Sequence, residues 1–142
     1  MVIGYTTGVF DMFHIGHLNI LKKAKSQCDY LIVGVSTDEL VEREKNKTPI
    51  IPYEERFEIV KSIKYVDHVV PQVDKNKMEA WKKYGFNRMF VGSDWKGTPV
   101  WTRLEEEFAP LGVEVVYFDH TDGISSTILR DKLIEIYGMT SK

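Results

Sequence analysis

A chain of 142 residues with 43% hydrophobic and 28% charged side chains has the size and composition of one globular domain, residues 1–142, with an ordinary core. Nineteen Lys and Arg against twenty-one Asp and Glu give a formal charge of −2, which lacks the basic excess of broad phosphate-backbone binders and argues against nucleic acid as a partner. The single Cys28 can neither close an intramolecular disulfide nor build a cysteine cage for zinc or iron–sulfur, consistent with a reducing compartment.

Met1-Val2-Ile3 runs straight into Tyr5, Thr6 and Thr7, without the basic flank and long apolar core of a signal peptide. No apolar run approaches the roughly 20 residues that span a bilayer. A soluble cytoplasmic protein with no membrane insertion is the expectation.

Short apolar runs alternate with helix-period segments, the pattern of repeated β-α units around a mainly parallel sheet. The first strand, about Val2 to Thr7, ends in Gly8. Helical spacing follows in Leu18, Leu21, Ala24 and Lys25. The second strand, Tyr30 to Ser36, is an almost unbroken apolar run and reads as buried on both faces. The charged, then Pro-punctuated stretch Glu42 to Pro52 reads as the least structured segment and a candidate substrate cover. Phe57, Val60 and Ile63 mark the next helix, His68 to Val70 a third strand, and Met78, Trp81 and Tyr84 a further helix. Strands at Arg88 to Gly92 and Val113 to Phe118 flank a helix over Thr102 to Ala109, which Pro110 and Gly112 stop; a last helix runs over Ser125 to Tyr137. The fold class is α/β with five strands, mainly parallel, flanked by helices.

Ligands of such sheets bind beyond the carboxyl ends of the strands. After the first strand, Gly8-Val9-Phe10-Asp11-Met12-Phe13-His14-Ile15-Gly16-His17 leads into a helix. Residues three apart share a face of a helical turn, and a helix entrance favours a phosphate, so His14 and His17 are placed to donate to one phosphate. Each alone is equally read as a cap. A zinc pair fits less well, because the familiar helical zinc motif spaces its histidines by four with a Glu between, and no third ligand is apparent. Gly8 and Gly16 permit close backbone approach. A second cluster, His120-Thr121-Asp122-Gly123-Ile124-Ser125-Ser126-Thr127, opens the last helix with hydroxyls that suit caps and phosphate oxygens alike. Neither the Walker phosphate loop nor Gly-x-Gly-x-x-Gly occurs.

His14-Ile15-Gly16-His17, Gly92-Ser93-Asp94-Trp95 and Thr121 to Thr127 resemble the signatures of the small CTP-dependent cytidylyltransferases, those acting on glycerol 3-phosphate above all, with the choline-phosphate and ethanolamine-phosphate enzymes more distant. The resemblance implies a Rossmann-like nucleotidyltransferase fold, a homodimer, Mg²⁺ or another divalent cation, and transfer from CTP to a small phosphorylated alcohol, giving a CDP-alcohol for a surface polymer or lipid. By position it implies a CTP site of Gly8, Val9, Phe10, His14, His17, Lys47, His120, Thr121, Gly123, Ile124, Ser125, Ser126 and Thr127, with His14 and His17 catalytic. Asp11, Lys45, Arg56, Lys77, Asp94 and Trp95 are implied on the substrate side, and the metal ligands are left open. Phe10 and Trp81 also suit a plain core, Trp95 a structural wall, and Lys45 and Lys47 a solvated loop. His120 stands where the family commonly has Arg and implies weaker or rearranged triphosphate binding, since imidazole lacks the permanent charge and donor fork of guanidinium. An ATP-using adenylyltransferase keeps the same motifs, and a binding module without catalysis is a third reading. A class I aminoacyl-tRNA synthetase is disfavoured by the missing Lys-Met-Ser-Lys-Ser element and by 142 residues, which leave no room for tRNA-binding parts.

Overall fold

The computed structural model describes residues 1–119 and 126–137, with side chains in the last stretch described from Arg130 to Ile136. Five strands, β1 (Ile3–Gly8), β2 (Tyr30–Ser36), β3 (His68–Gln72), β4 (Arg88–Gly92) and β5 (Glu114–Phe118), form one sheet in the order β3-β2-β1-β4-β5. All four pairings are parallel. The helices are α1 (Ile15–Ser26), α2 (Asp38–Lys45), α3 (Tyr53–Lys61), α4 (Lys77–Tyr84), α5 (Pro99–Phe108) and α6 (Ser126–Tyr137).

The strand order explains where a ligand fits. The chain runs outward from β1 through β2 to β3, then crosses back to place β4 on the other side of β1. Loops leaving β1 and β4 therefore diverge, and a crevice opens at their carboxyl ends.

Both faces of the sheet are covered, as the unbroken apolar run of β2 requires. Leu31, Val33 and Val35 pack with Leu21, Ala24 and Val60 on one face, whereas Tyr5 and Ile32 pack with Phe86, Trp101 and Phe108 on the other. β3 reaches two residues past the expected Val70, through Pro71. It is an edge strand, where a proline's missing N–H costs no ladder bond.

The expectation that Glu42 to Pro52 is the least structured segment fails for its first four residues, which belong to α2. Thr37 caps α2 by accepting from the Leu40 N–H, at 3.2 Å, and Asp38 and Glu39 complement the helix dipole in the first turn. The helix ends at Asn46, in the left-handed conformation at φ 53°, whose N–H donates to the Glu42 carbonyl. Only residues 46–52 remain as a loop. No helix of the described residues is long and apolar enough to cross a membrane.

Candidate active site

The turn from β1 into α1 holds two non-glycine residues, Phe10 and Met12, at positive φ of 54° and 49°. Each costs of order 1–3 kcal/mol and persists only where surrounding structure enforces it. The enforcement is visible. The Phe10 ring is buried in the core and meets the His17 ring edge-on at 5.4 Å. A Cβ on Gly8 would sit 3.0 Å from that ring. Gly8 thus makes room for Phe10, where the sequence reading had it admit a ligand.

His14 and His17 cap α1 reciprocally. His14 Nδ1 accepts from the Gly16 N–H at 3.0 Å, and His17 Nδ1 accepts from the His14 N–H at 3.2 Å. This is a capping box built from imidazoles. A ring whose Nδ1 accepts is neutral and carries its proton on Nε2. The two rings stack with centroids 3.9 Å apart, so protonating one opposes protonating the other. Burial lowers the pKa of His14, and burial followed by the neighbouring His14 lowers that of His17 to about 4, against a smaller opposite pull from Asp11. His14 Nε2 is buried without a hydrogen-bond partner among the described residues, which leaves a donor for an incoming oxygen.

Three polar side chains hold this entrance against the rest of the fold. Asp11 accepts from the Ile50 and Ile51 N–H groups, each at 2.8 Å, and so pins the 46–52 loop. Arg56, expected on the substrate side, is fully buried and donates to protein acceptors instead. Its Nε reaches the Ile51 carbonyl at 2.8 Å, Nη1 reaches those of Val9 and Ser36 at 2.7 Å, and Nη2 pairs with Asp38 at 2.6 Å. The guanidinium fork therefore clamps four segments together, a correction to its expected role. Arg130 of α6 donates to the Thr48 carbonyl at 3.1 Å, bringing the last helix onto the same loop.

One lysine lies on the opposite face of the sheet, and two more lie at the end of α2 and in the 46–52 loop. Lys77, at the start of α4, is 8% exposed and donates to Thr7 Oγ1 at 3.1 Å. Burial, assisted by Lys75 and opposed by Asp74, lowers its pKa to about 8. It borders a cleft of about 60 Å³ with Tyr5, Gln72, Asp74 and Tyr84. Lys45 ends α2, exposed, and Lys47 follows Asn46, half-buried. Although the residue as a whole is exposed, partial desolvation of its amine, then Lys47 and Lys75, lower the Lys45 pKa, so three lysines of two segments share one region. Asp94 and Trp95 occupy a 3-10 turn just past β4. Trp95 is 50% exposed, a position open to solvent. Trp81, half-buried, packs against the core.

His120, Thr121, Asp122, Gly123, Ile124 and Ser125 lie outside the described residues, as do the side chains of Ser126 and Thr127. Among the described residues no three His, Cys, Asp or Glu side chains group to hold a metal, and both Asp11 oxygens already accept backbone bonds. These residues do not fit a protein-held divalent cation.

A parallel sheet with two imidazoles at the switch-point helix entrance is the Rossmann-like architecture of nucleotidyltransferases. A solved structure, the lipopolysaccharide core biosynthesis protein of Thermoplasma volcanium GSS1, superposes with a TM-score of 0.70 at 27% identity, covering 85% of this chain and 97% of that one. Residues 5–132 match the cytidylyltransferase-like family, to which this chain belongs. The glycerol-3-phosphate cytidylyltransferase of Bacillus spizizenii (strain ATCC 23059 / NRRL B-14472 / W23) is 36% identical over 92% of this chain and 96% of its own length. The ethanolamine-phosphate cytidylyltransferase of Mus musculus is 50% identical over 89% of this chain, but over only 31% of its own.

Proposed function

We propose that the chain transfers the cytidylyl group of CTP to glycerol 3-phosphate, forming CDP-glycerol and pyrophosphate, as a cytoplasmic homodimer supplying an activated precursor for a surface polymer or lipid. The observation that carries the reading is the pair of neutral imidazoles at the α1 entrance, locked through Nδ1, with the buried His14 Nε2 left without a partner among the described residues. The acceptor favoured is that of the relative matched along almost its whole length.

The chemistry needs no nucleophilic side chain. An anionic oxygen of the acceptor phosphate forms a bond to the α-phosphorus, the bond to the oxygen bridging the α- and β-phosphorus breaks, and pyrophosphate leaves with the electron pair. Positioning and stabilisation of developing charge are what the protein supplies. His14 and His17 donate to α-phosphate oxygens. Neutral donors suit this task, since they strengthen their hydrogen bonds as charge develops without trapping the ground-state anion by full charge. Lys45 and Lys47 bind the departing phosphates, a task the resemblance also gives to His120 and the hydroxyl-rich segment Thr121 to Thr127. Lys77, at the positive end of α4, binds the acceptor phosphate. Asp11 and Arg56 hold the frame, and Asp94 and Trp95 border the acceptor.

The test incubates the chain with CTP, Mg²⁺ and glycerol 3-phosphate, phosphocholine or phosphoethanolamine while pyrophosphate is measured, with ATP as the base control. Mg²⁺ enters with the nucleotide, and no step is assigned to it. Release with CTP and glycerol 3-phosphate, and not with ATP, is expected. Absence of pyrophosphate with every acceptor overturns the reading, and CTP binding by calorimetry without turnover replaces it with a binding module. Sedimentation checks the dimer.

A further inference from the structure

The 46–52 loop is fastened to more of the molecule than its position in the chain explains. Thr48 is held from two sides, its hydroxyl donating to Glu42 Oε1 of α2 at 3.2 Å and its carbonyl accepting from Arg130 Nη1 of α6 at 3.1 Å. Two residues on, Ile50 and Ile51 donate to Asp11, and the Ile51 carbonyl accepts from Arg56. A short loop thereby bonds to α2, to the residues before α1, to α3 and to α6. Lys47 immediately precedes the doubly held Thr48, and its backbone follows wherever Thr48 is fixed.

We propose that Arg130 is a positioning residue: by holding the Thr48 carbonyl it sets Lys47 for the phosphates of the nucleotide and couples α6 to the His14 and His17 entrance. The nucleotide part rests on the function proposed above. Arginine suits the task, because a charged donor to a carbonyl makes a stronger bond than a neutral one, and the flat fork fixes its direction. Lys47 is the group through which Arg130 acts, and the pair must therefore be non-additive.

Two measurements test this. In the ligand-free chain, amide hydrogen exchange of the Ile50 and Ile51 N–H groups quickens about 5–10-fold on Arg130→Ala, with β1 and β2 amides unchanged, and returns partly on Arg130→Lys. In turnover, Arg130→Ala raises the KM for CTP about 5–10-fold and leaves kcat within about 2-fold, whereas in a Lys47→Ala background it adds less than about 2-fold. Unchanged exchange, a loss confined to kcat, or an additive loss in the double variant overturns the proposal. A wild-type chain that releases no pyrophosphate defeats the function and the nucleotide part together. The exchange result still decides whether Arg130 ties α6 to the loop.

Discussion

The two faces of the β1 carboxyl end treat nitrogen in opposite ways. On the α1 face, burial and mutual stacking keep His14 and His17 neutral, and each Nδ1 is consumed by a backbone N–H. On the α4 face, burial lowers the Lys77 pKa only to about 8, so its ammonium stays charged at neutral pH. The first face supplies directional donors whose pKa values burial lowers, the second a buried charge bonded to the Thr7 hydroxyl. Desolvation is shared by both. What differs is the partner: a ring held by the helix backbone gains nothing from a second proton, whereas a buried amine bonded to a hydroxyl oxygen needs its proton to donate fully.

Removing the α1 donors is the largest expected break. His14→Ala and His17→Ala should each lower kcat about 10²–10³-fold, the cost of deleting one oxyanion donor. Circular dichroism should show the fold retained, because a lost helix cap costs only about 1 kcal/mol. Near-normal turnover in either variant would remove the imidazole pair from the chemistry and leave the two faces with no functional contrast.

The neutrality of His17 sets the next expectation. A group whose folded pKa lies below its unfolded value stabilises fully above the unfolded value, and that contribution is lost as pH falls toward the folded one. Stability should therefore drop between about pH 6.5 and pH 4, by roughly 1–2 kcal/mol once the residual water contact of a partly buried ring is allowed for. His17→Asn keeps an acceptor for the His14 N–H and should flatten that drop in thermal melts across the range. An unchanged acid profile would mean that the ring is not held neutral.

The frame of this contrast was legible and its fastening was not. Leu31 to Val35 announced a strand buried on both faces, and the strand-to-helix passage from Gly8 to His17 located the crevice, because periodicity and helix entrances are local properties. α2 escaped notice because only Leu40 and Val41 of its eight residues turn inward, too few for a periodic stripe, although the Thr37 cap and the acidic first turn were there to be read. Arg56 looked like a substrate contact because an arginine is buried only when acceptors from separate segments converge on it. Asp38, Val9, Ser36 and Ile51 do converge, across up to 47 positions of sequence. The Arg130 to Thr48 bond spans 82 positions and leaves no pattern in a single chain.

On the α4 face, Lys77→Met should raise the KM for the acceptor phosphate about 10-fold, equivalent to about 1.4 kcal/mol, with a smaller change in kcat. Because the wild-type amine is charged in a buried setting below about pH 8, the apolar variant should also melt higher at pH 7, a trade of stability for function. In the wild type, acceptor KM should climb as pH rises through about 8, where Lys77 gives up its proton, while the KM for CTP stays level. A KM for acceptor that is flat from pH 7 to 9 would show that the buried amine is not what holds the phosphate.

The smallest change separates the hydroxyl from the amine it serves. Thr7→Val keeps the shape of the side chain and deletes the oxygen that accepts from Lys77 Nζ, so the charged amine loses a hydrogen-bond acceptor in the cleft wall. Losing a bond to the charged form lowers the pKa further. The climb in acceptor KM should consequently begin at a pH lower by less than about one unit, since a bond of about 1 kcal/mol corresponds to under one unit. The His-dependent kcat should not move, because Thr7 and the imidazoles project from opposite faces of the sheet. A fall in kcat at all pH values, with no displacement of the KM profile, would instead mean that the two faces act as one rigid unit and that the division between directional donors and a titrating charge is wrong.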